Sequence, residues 1–187
     1  MTQTPNQIRW TIADLELLAT DEWKRYEIID GELFVTRAPH IKHQGVAGRI
    51  HAQLLIWSEQ TGLGQPFITP GIIFSDADNV IPDVIWISNE RLAQLVDEEG
   101  HLIGSPELIV EILSPGSANE RRDREVKLKL YSIKGVQEYW IVDWRLRQME
   151  VYRRQNAQLV LIATLLASDE MTSPLLPEFS CQIQRFF

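Results

Sequence analysis

Between Glu107 and Leu113 the chain runs Glu-Leu-Ile-Val-Glu-Ile-Leu and then stops at Ser114-Pro115. A short, almost wholly apolar run bounded by breakers is the pattern of a strand covered on both faces. Such a strand needs a sheet through the middle of the molecule and further layers on either side of it. Glu111 interrupts the run. An unpaired carboxylate in an apolar interior costs several kcal/mol, so Glu111 must be protonated, ion-paired or bound to a metal ion.

The rest of the chain supplies the layers. Thr11 with Asp14 three residues later has the form of a capping box, with Leu15 and Leu18 at helical spacing, which predicts a short helix ending near Asp21. Tyr26 to Asp30 and Leu33 to Arg37 are strand-like runs about Gly31 and predict a hairpin. From Ile41 to Gln60, the residues Val46, Ile50, Leu54 and Trp57 recur every three or four positions, the clearest amphipathic helix in the chain. Phe67 to Thr69, Gly71 to Phe74 and, after Pro82, Asp83 to Ile87 predict extended segments, followed by a helix from Glu90 to Val96. Beyond the loop Ser114 to Asn119 a basic helix is predicted, with Val126, Leu130 and Ile133 as its inner stripe and Gly135 as its stop. Gln137 to Asp143, Gln148 to Arg153 and Leu159 to Leu165 predict three more strands, and the apolar run Leu159 to Ala167 is expected to be buried. Strands and helices alternate in the middle, with extra strands at both ends. This places the chain in the α/β or α+β class, a mixed sheet with helices on its faces. No linker or repeat divides the 187 residues, so one domain over 1–187 is expected.

Composition narrows the function. With 44% hydrophobic and 24% charged residues the chain is an ordinary globular sequence. Its single cysteine, Cys181, has no partner, which fits a reducing compartment. The start MTQTPNQIRW lacks the basic and apolar regions of a secretory signal, and no apolar run approaches the ~20 residues that cross a bilayer. A cytoplasmic protein with no membrane partner is the expectation. The net charge of −8 argues against bulk electrostatic binding of nucleic acid, yet Arg121 to Lys134 carries six basic and two acidic residues. That local surplus suits a polyanion or, equally, a solvated helix face.

Asp83, at the start of the strand before Glu111, is by itself more often a turn residue than a ligand. On neighbouring strands the two carboxylates could reach one divalent ion, with the backbone carbonyl of Ile112 as a third hard ligand. Magnesium suits such a site, since it takes few protein oxygens and keeps its waters. Their separation of 28 positions leaves room for the intervening helix. Lys127 alone would count as one of several exposed lysines. His40 and His43 make a poor zinc site without further ligands, and neither a Walker nor a dinucleotide glycine motif is present. Trp86, Tyr139 and Trp140 read as core.

Taken together, Pro82-Asp83, Glu111-Ile112-Leu113 and Lys127 with Tyr131 resemble the PD-(D/E)XK nuclease superfamily. The blocks Tyr26 to Leu33, His43-Gln44, Pro106 to Pro115 and Glu138 to Asp143 resemble, in order and spacing, the Uma family of restriction-endonuclease-like proteins. The superfamily's lysine, two residues after the acid, is Leu113 here, and the resemblance transfers that role to Lys127 on the following helix. It implies a restriction-endonuclease-like sheet flanked by helices, with Asp83, Glu111 and Lys127 catalytic. It also implies Mg2+ or Mn2+ as cofactor, DNA as substrate, and a homodimer that cuts both strands. Asp123, Tyr131, His43 and Glu32 form a second tier that would line the cleft or orient the first three, Asp123 by pairing with Lys127 across one turn; taken alone, Asp123 reads rather as a surface pair and His43 and Glu32 as structural residues.

Lys127 would act electrostatically, because a general base needs a large downward pKa shift from its usual ~10.4. Two rivals remain at this level. One is a nuclease fold that has lost catalysis and serves as a DNA-binding or assembly module. The other is a glycosidase using the two carboxylates without a metal.

Overall fold

The computed structural model describes residues 8–18 and 23–187. Helix α1 (Ile12–Leu17) begins where the Asp14 carboxylate accepts the Thr11 amide at 2.8 Å, as the capping pattern predicts. The helix stops at Leu17, and the expected end near Asp21 lies outside the described residues. The hairpin β1 (Lys24–Ile29) and β2 (Glu32–Arg37) turns through Asp30 and Gly31, both at positive φ, a conformation that glycine accommodates without steric penalty. The long helix α2 (Ile41–Thr61) follows, closed by Gly62 in the left-handed region.

Next come β3 (Gly64–Ile68), β4 (Ile72–Ser75), β5 (Asp78–Val80), β6 (Val84–Ser88) and α3 (Asn89–Leu95). Then β7 (Leu108–Ile112) leads through α4 (Ser117–Arg121) into a wide π turn, Arg122–Lys127, and α5 (Leu128–Lys134), stopped by Gly135. The chain ends with β8 (Glu138–Asp143), β9 (Gln148–Gln155), β10 (Gln158–Leu166), β11 (Glu170–Ser173), β12 (Leu176–Gln182) and the 3-10 turn Ile183–Phe186.

Six strands form a mixed central sheet in the order β10-β9-β8-β7-β6-β3, with β7 and β8 parallel and the other pairs antiparallel. The hairpin joins β5 and β4 in a second sheet of order β2-β1-β5-β4, and β11 pairs with β12. This is the α+β architecture with a central mixed sheet that the sequence predicts.

Side chains alternate across β6, β7 and β8 with the strand period of two. Val84, Trp86, Leu108, Val110, Ile112, Trp140 and Val142 join the inner face of α2 and the C-terminal hairpin in one core. Ile85, Ile87, Ile109, Leu113, Tyr139 and Ile141 join Leu130 and Tyr131 of α5 in the other. Every residue of β7 is buried, in keeping with its apolar run. Trp86, Tyr139 and Trp140 are core residues, as expected.

The sequence pattern does not predict β5, a three-residue strand, Asp78-Asn79-Val80, held by pairing with β1 and β4. Two expectations need correction. Ile133 is 68% exposed, so α5 packs through Leu130 and Tyr131 while Ile133 faces outward. The run Leu159 to Ala167 is not a buried strand. It is the edge of the central sheet, with Leu159 buried but Val160, Leu161, Ile162 and Leu166 exposed. A bulge between Leu161 and Ala163 breaks the register of that edge, a device that discourages pairing with another chain.

Candidate active site

Val84 of β6 stands opposite Val110 of β7, so one step further out Asp83 comes level with Glu111. By the period of two, Asp83 shares a face with Ile85 and Ile87, and Glu111 with Ile109 and Leu113. Both carboxylates therefore emerge toward the α5 side of the sheet, at the rim of its second core. The Ile112 amide donates to Asp83 Oδ2 at 2.8 Å and ties the two strand ends together.

Lys127 and Tyr131 are four residues apart and converge on one atom. Nζ of Lys127 and the hydroxyl of Tyr131 each donate to Glu111 Oε1 at 2.9 Å. The same ammonium lies 2.9 Å from Oε1 of Glu27, which also accepts the Ile81 amide at 2.8 Å. Helix α2 packs on the opposite face of the sheet, but its first turn reaches round the strand end and places His43 Nε2 3.1 Å from Asp83 Oδ2. With Nε2 turned to Asp83, the other ring nitrogen, Nδ1, is buried without a hydrogen-bond partner. Arg25 stands 3.5 Å from Asp83 Oδ1. These groups line a cleft of about 350 Å³ between the hairpin, the strand ends and the π turn.

Four buried carboxylates, Glu27, Asp83, Glu111 and Asp123, thus crowd around Lys127 and the largely buried Arg122. Burial drives the Glu111 carboxyl upward, Lys127 opposes this, and Asp83, Asp123 and Glu27 reinforce it, so its pKa is pushed up to about 8. Burial also works against the charge of Asp83, but His43, the Ile112 amide and Lys127 outweigh it and hold Asp83 below the usual carboxylate range. Burial would strip the proton from Lys127; Glu111, Glu27 and Asp123 outweigh it and raise the pKa above that of an ordinary lysine. Lys127 therefore stays an ammonium, and the surplus acidity is relieved by a proton on Glu111. Burial raises Asp123 against the pull of Lys127 and Arg122, and burial followed by Glu111 lifts Tyr131 well above an ordinary phenol.

Of the residues singled out from sequence, the fold gathers Asp83, Glu111, Lys127, Tyr131 and His43 at one place, Lys127 and Tyr131 on Glu111 and His43 on Asp83. Asp123 is buried beside them but pairs with Arg122 at 3.1 Å; among the described residues no direct Asp123–Lys127 bridge forms. Its backbone carbonyl accepts the Tyr139 hydroxyl at 3.0 Å, which pins the π turn to the sheet. Glu32 is not part of the cleft. It is exposed at the start of β2, and the buried acid contributed by the hairpin is Glu27.

Sequence reasoning passed over Glu27, Arg25 and Arg122. The signal for Glu27 was the one that exposed Glu111, a lone carboxylate beside Ile28 and Ile29 in a strand. Arg122 stood within the basic run from Arg121 to Lys134 without being distinguished there, and nothing local marked Arg25.

The donor set can be tested against a divalent ion. Among the described residues no three His, Cys, Asp or Glu side chains are arranged as a metal cage. Among the described residues, Asp83 and Glu111 each hold one oxygen in close hydrogen bonds, while Asp83 Oδ1 has only the 3.5 Å contact to Arg25 and none of the bonds to Glu111 involves Oε2. Two hard oxygens within an anionic cluster fit an ion that retains much of its water.

The model of the Uma2 family, described as "Putative restriction endonuclease", matches residues 12–184. A crystal structure described as "a putative nuclease belonging to DUF820" from Anabaena variabilis ATCC 29413 superposes with a TM-score of 0.74. It is 18% identical and covers 95% of this chain and 97% of that one, a likeness of fold. No curated protein matches the chain.

Proposed function

The chain belongs to the Uma2 family, of restriction-endonuclease type, and from that membership we propose that it is a metal-dependent DNA endonuclease acting at the cleft of Asp83, Glu111 and Lys127. The observation that carries the reading is the level placement of Asp83 and Glu111 on neighbouring strands, with the Lys127 ammonium against the second of them. Asp83, Glu111 and the Ile112 carbonyl would hold magnesium or manganese. Such an ion supplies Lewis acidity at a phosphate oxygen and makes water a better nucleophile at neutral pH.

The chain's own residues do the rest. Tyr131 and Lys127 fix Glu111 from the helix side, while His43 and the Ile112 amide fix Asp83 from the strand side, so neither carboxylate must reorganise. Lys127 is held as a cation between Glu111 and Glu27 and offsets the charge that builds on phosphorus oxygens in the transition state. Its raised pKa argues against a role as general base. Arg25 and Arg122 on the cleft wall favour an incoming phosphodiester. A homodimer, cutting one strand with each copy, and a cytoplasmic setting complete the proposal.

The test is cleavage of plasmid DNA. Nicking is expected with magnesium or manganese and not in EDTA, and Asp83→Asn and Glu111→Gln should each lower it by about a hundredfold or more while remaining folded. Cleavage that persists in both variants would defeat the assignment. A module without catalysis remains the second reading, favoured by the absence of a three-ligand cage among the described residues. Inactivity of the wild type with every metal tried would select it, and metal-free cleavage of a glycosidic bond would select the glycosidase.

A further inference from the structure

Beside the cleft lies a second concavity, about 660 Å³ in volume, between the first turns of α2 and the loop joining β8 to β9. Its charged lining side chains are Lys42, Arg49, Arg145 and Arg147, with no Asp or Glu among the lining residues, on a chain whose net charge is −8. Arg145 is tied to Asp143 and Glu120. Among the described residues, no carboxylate forms a salt bridge with Lys42, Arg49 or Arg147, and all three are exposed.

The groove is built rather than incidental. Trp144 forms its wall, stacked on His40 with ring centroids 5.2 Å apart and planes inclined by 12°. His40 lines the neighbouring cleft, so the two depressions share that pair of rings. The Trp144 indole donates to the carbonyl of Leu113 at 3.2 Å, which anchors the wall just beyond the strand that carries Glu111. Lys42 Nζ lies 5.7 Å from the Trp144 ring centroid, and the Arg147 guanidinium 5.6 Å from that of Phe187. A Cβ at Gly45 would come within 3.2 Å of Arg49 Nη1, so the glycine leaves room for that guanidinium against the helix. Arg147 has φ of 52°, in the left-handed region where an arginine is strained and a glycine is not. A strained residue whose side chain lines a groove points to a use for that side chain.

We infer that this groove holds the phosphate backbone of the DNA strand whose scissile phosphate occupies the adjoining cleft. The inference deepens the nuclease reading and rests on it for the identity of the polyanion. His40 stacks on Trp144 and Lys42 lies near its ring, and the groove's cations suit phosphates, whose contacts carry no base sequence. Its contribution to affinity is independent of sequence and sensitive to salt.

The test is equilibrium binding of a short fluorescent DNA duplex in EDTA, across a range of salt, to the wild type and to Lys42→Ala/Arg49→Ala/Arg147→Gly. The glycine relieves the strain at position 147, so the thermal midpoint of the variant should not fall, and a matched midpoint separates lost contacts from lost structure. The variant should bind about tenfold more weakly or worse, with a slope of log K against log salt shallower by roughly 3, about one unit per phosphate contact. Equal affinity and slope would overturn the inference, as would a wild type that fails to bind at low salt or an affinity that changes when the duplex sequence is scrambled. Cleavage with magnesium is measured in parallel. A wild type that binds through these residues but never cuts DNA sinks the catalytic reading and leaves the groove standing; one that cuts while the variant binds equally well does the reverse.

Discussion

Glu111 shows how a single buried acid ties stability to function. In the folded chain it releases its proton near pH 8, against an ordinary value of 4.5. The folded state therefore binds more protons than the unfolded state between those values. The stabilisation from this group is whole below about pH 4.5 and is lost as pH rises through about 8 in the ion-free protein. A divalent ion must displace the same proton, so its affinity should increase with pH across that window and level off above it. Thermal shifts induced by magnesium should grow accordingly and disappear in Glu111→Gln; a wild-type shift that ignores pH would contradict the placement of the ion. Lys127 gives a second prediction. Truncation to alanine leaves Glu111 and Glu27 buried without their cation, and urea unfolding of the ion-free protein should show a loss of roughly 3–5 kcal/mol. A loss below about 1 kcal/mol would mean that the cluster is wetter than its burial indicates.

At the scale of elements, the decisive piece is the segment from Ser117 to Lys134, which is not one regular helix. Its π turn falls on Arg122–Lys127, whose two end residues, Arg122 and Lys127, line the cleft, and such turns concentrate at functional sites. The turn directs Asp123 and Lys127 inward, and α5 then continues with Leu130 and Tyr131 as its buried face. Ile133 lies off that face, so Ile133→Glu should change the unfolding free energy by no more than about 0.5 kcal/mol, where a core isoleucine would lose several. A larger loss would show that Ile133 is covered in solution, for instance by a second copy of the chain. Edge strand β10 illustrates the same limit of pattern reading. An apolar run signals burial only when something lies on both sides of it, and the last strand of a sheet has one neighbour.

For the whole molecule, the C-terminal hairpin closes the core on the face of the sheet opposite the cleft, and one buried acid helps to hold it in place. Glu138 on β8 accepts from the Trp140 indole at 2.6 Å, from Arg153 on β9 at 2.8 Å and from the Ser173 hydroxyl of β11 at 2.8 Å. Removing it orphans three donors at once. Glu138→Ala should lower the unfolding free energy by about 2–4 kcal/mol, read by urea denaturation, while Arg153→Ala, at a half-buried site, should lose less. Equal losses would place the weight on Arg153, which also reaches the Thr172 carbonyl.

What the sequence determined by itself was whatever depends on local chemistry: the buried run around Glu111, the amphipathic stripe of α2, the hairpin at Gly31, and the membership of Asp83, Glu111 and Lys127 in a recurring pattern. The first three signals lie in residues a few positions apart, whose spacing reports which face each side chain occupies; the last is a likeness of motifs along the chain. Tertiary structure decided the rest. Glu27 and not Glu32 enters the cleft because β1 turns that face toward the sheet, and Asp123 answers to Arg122 because the helix widens there. Burial and the charges around Glu111 depend on segments up to 84 residues away, from Glu27 to Glu111, and no local pattern encodes a distance that only the closed fold creates.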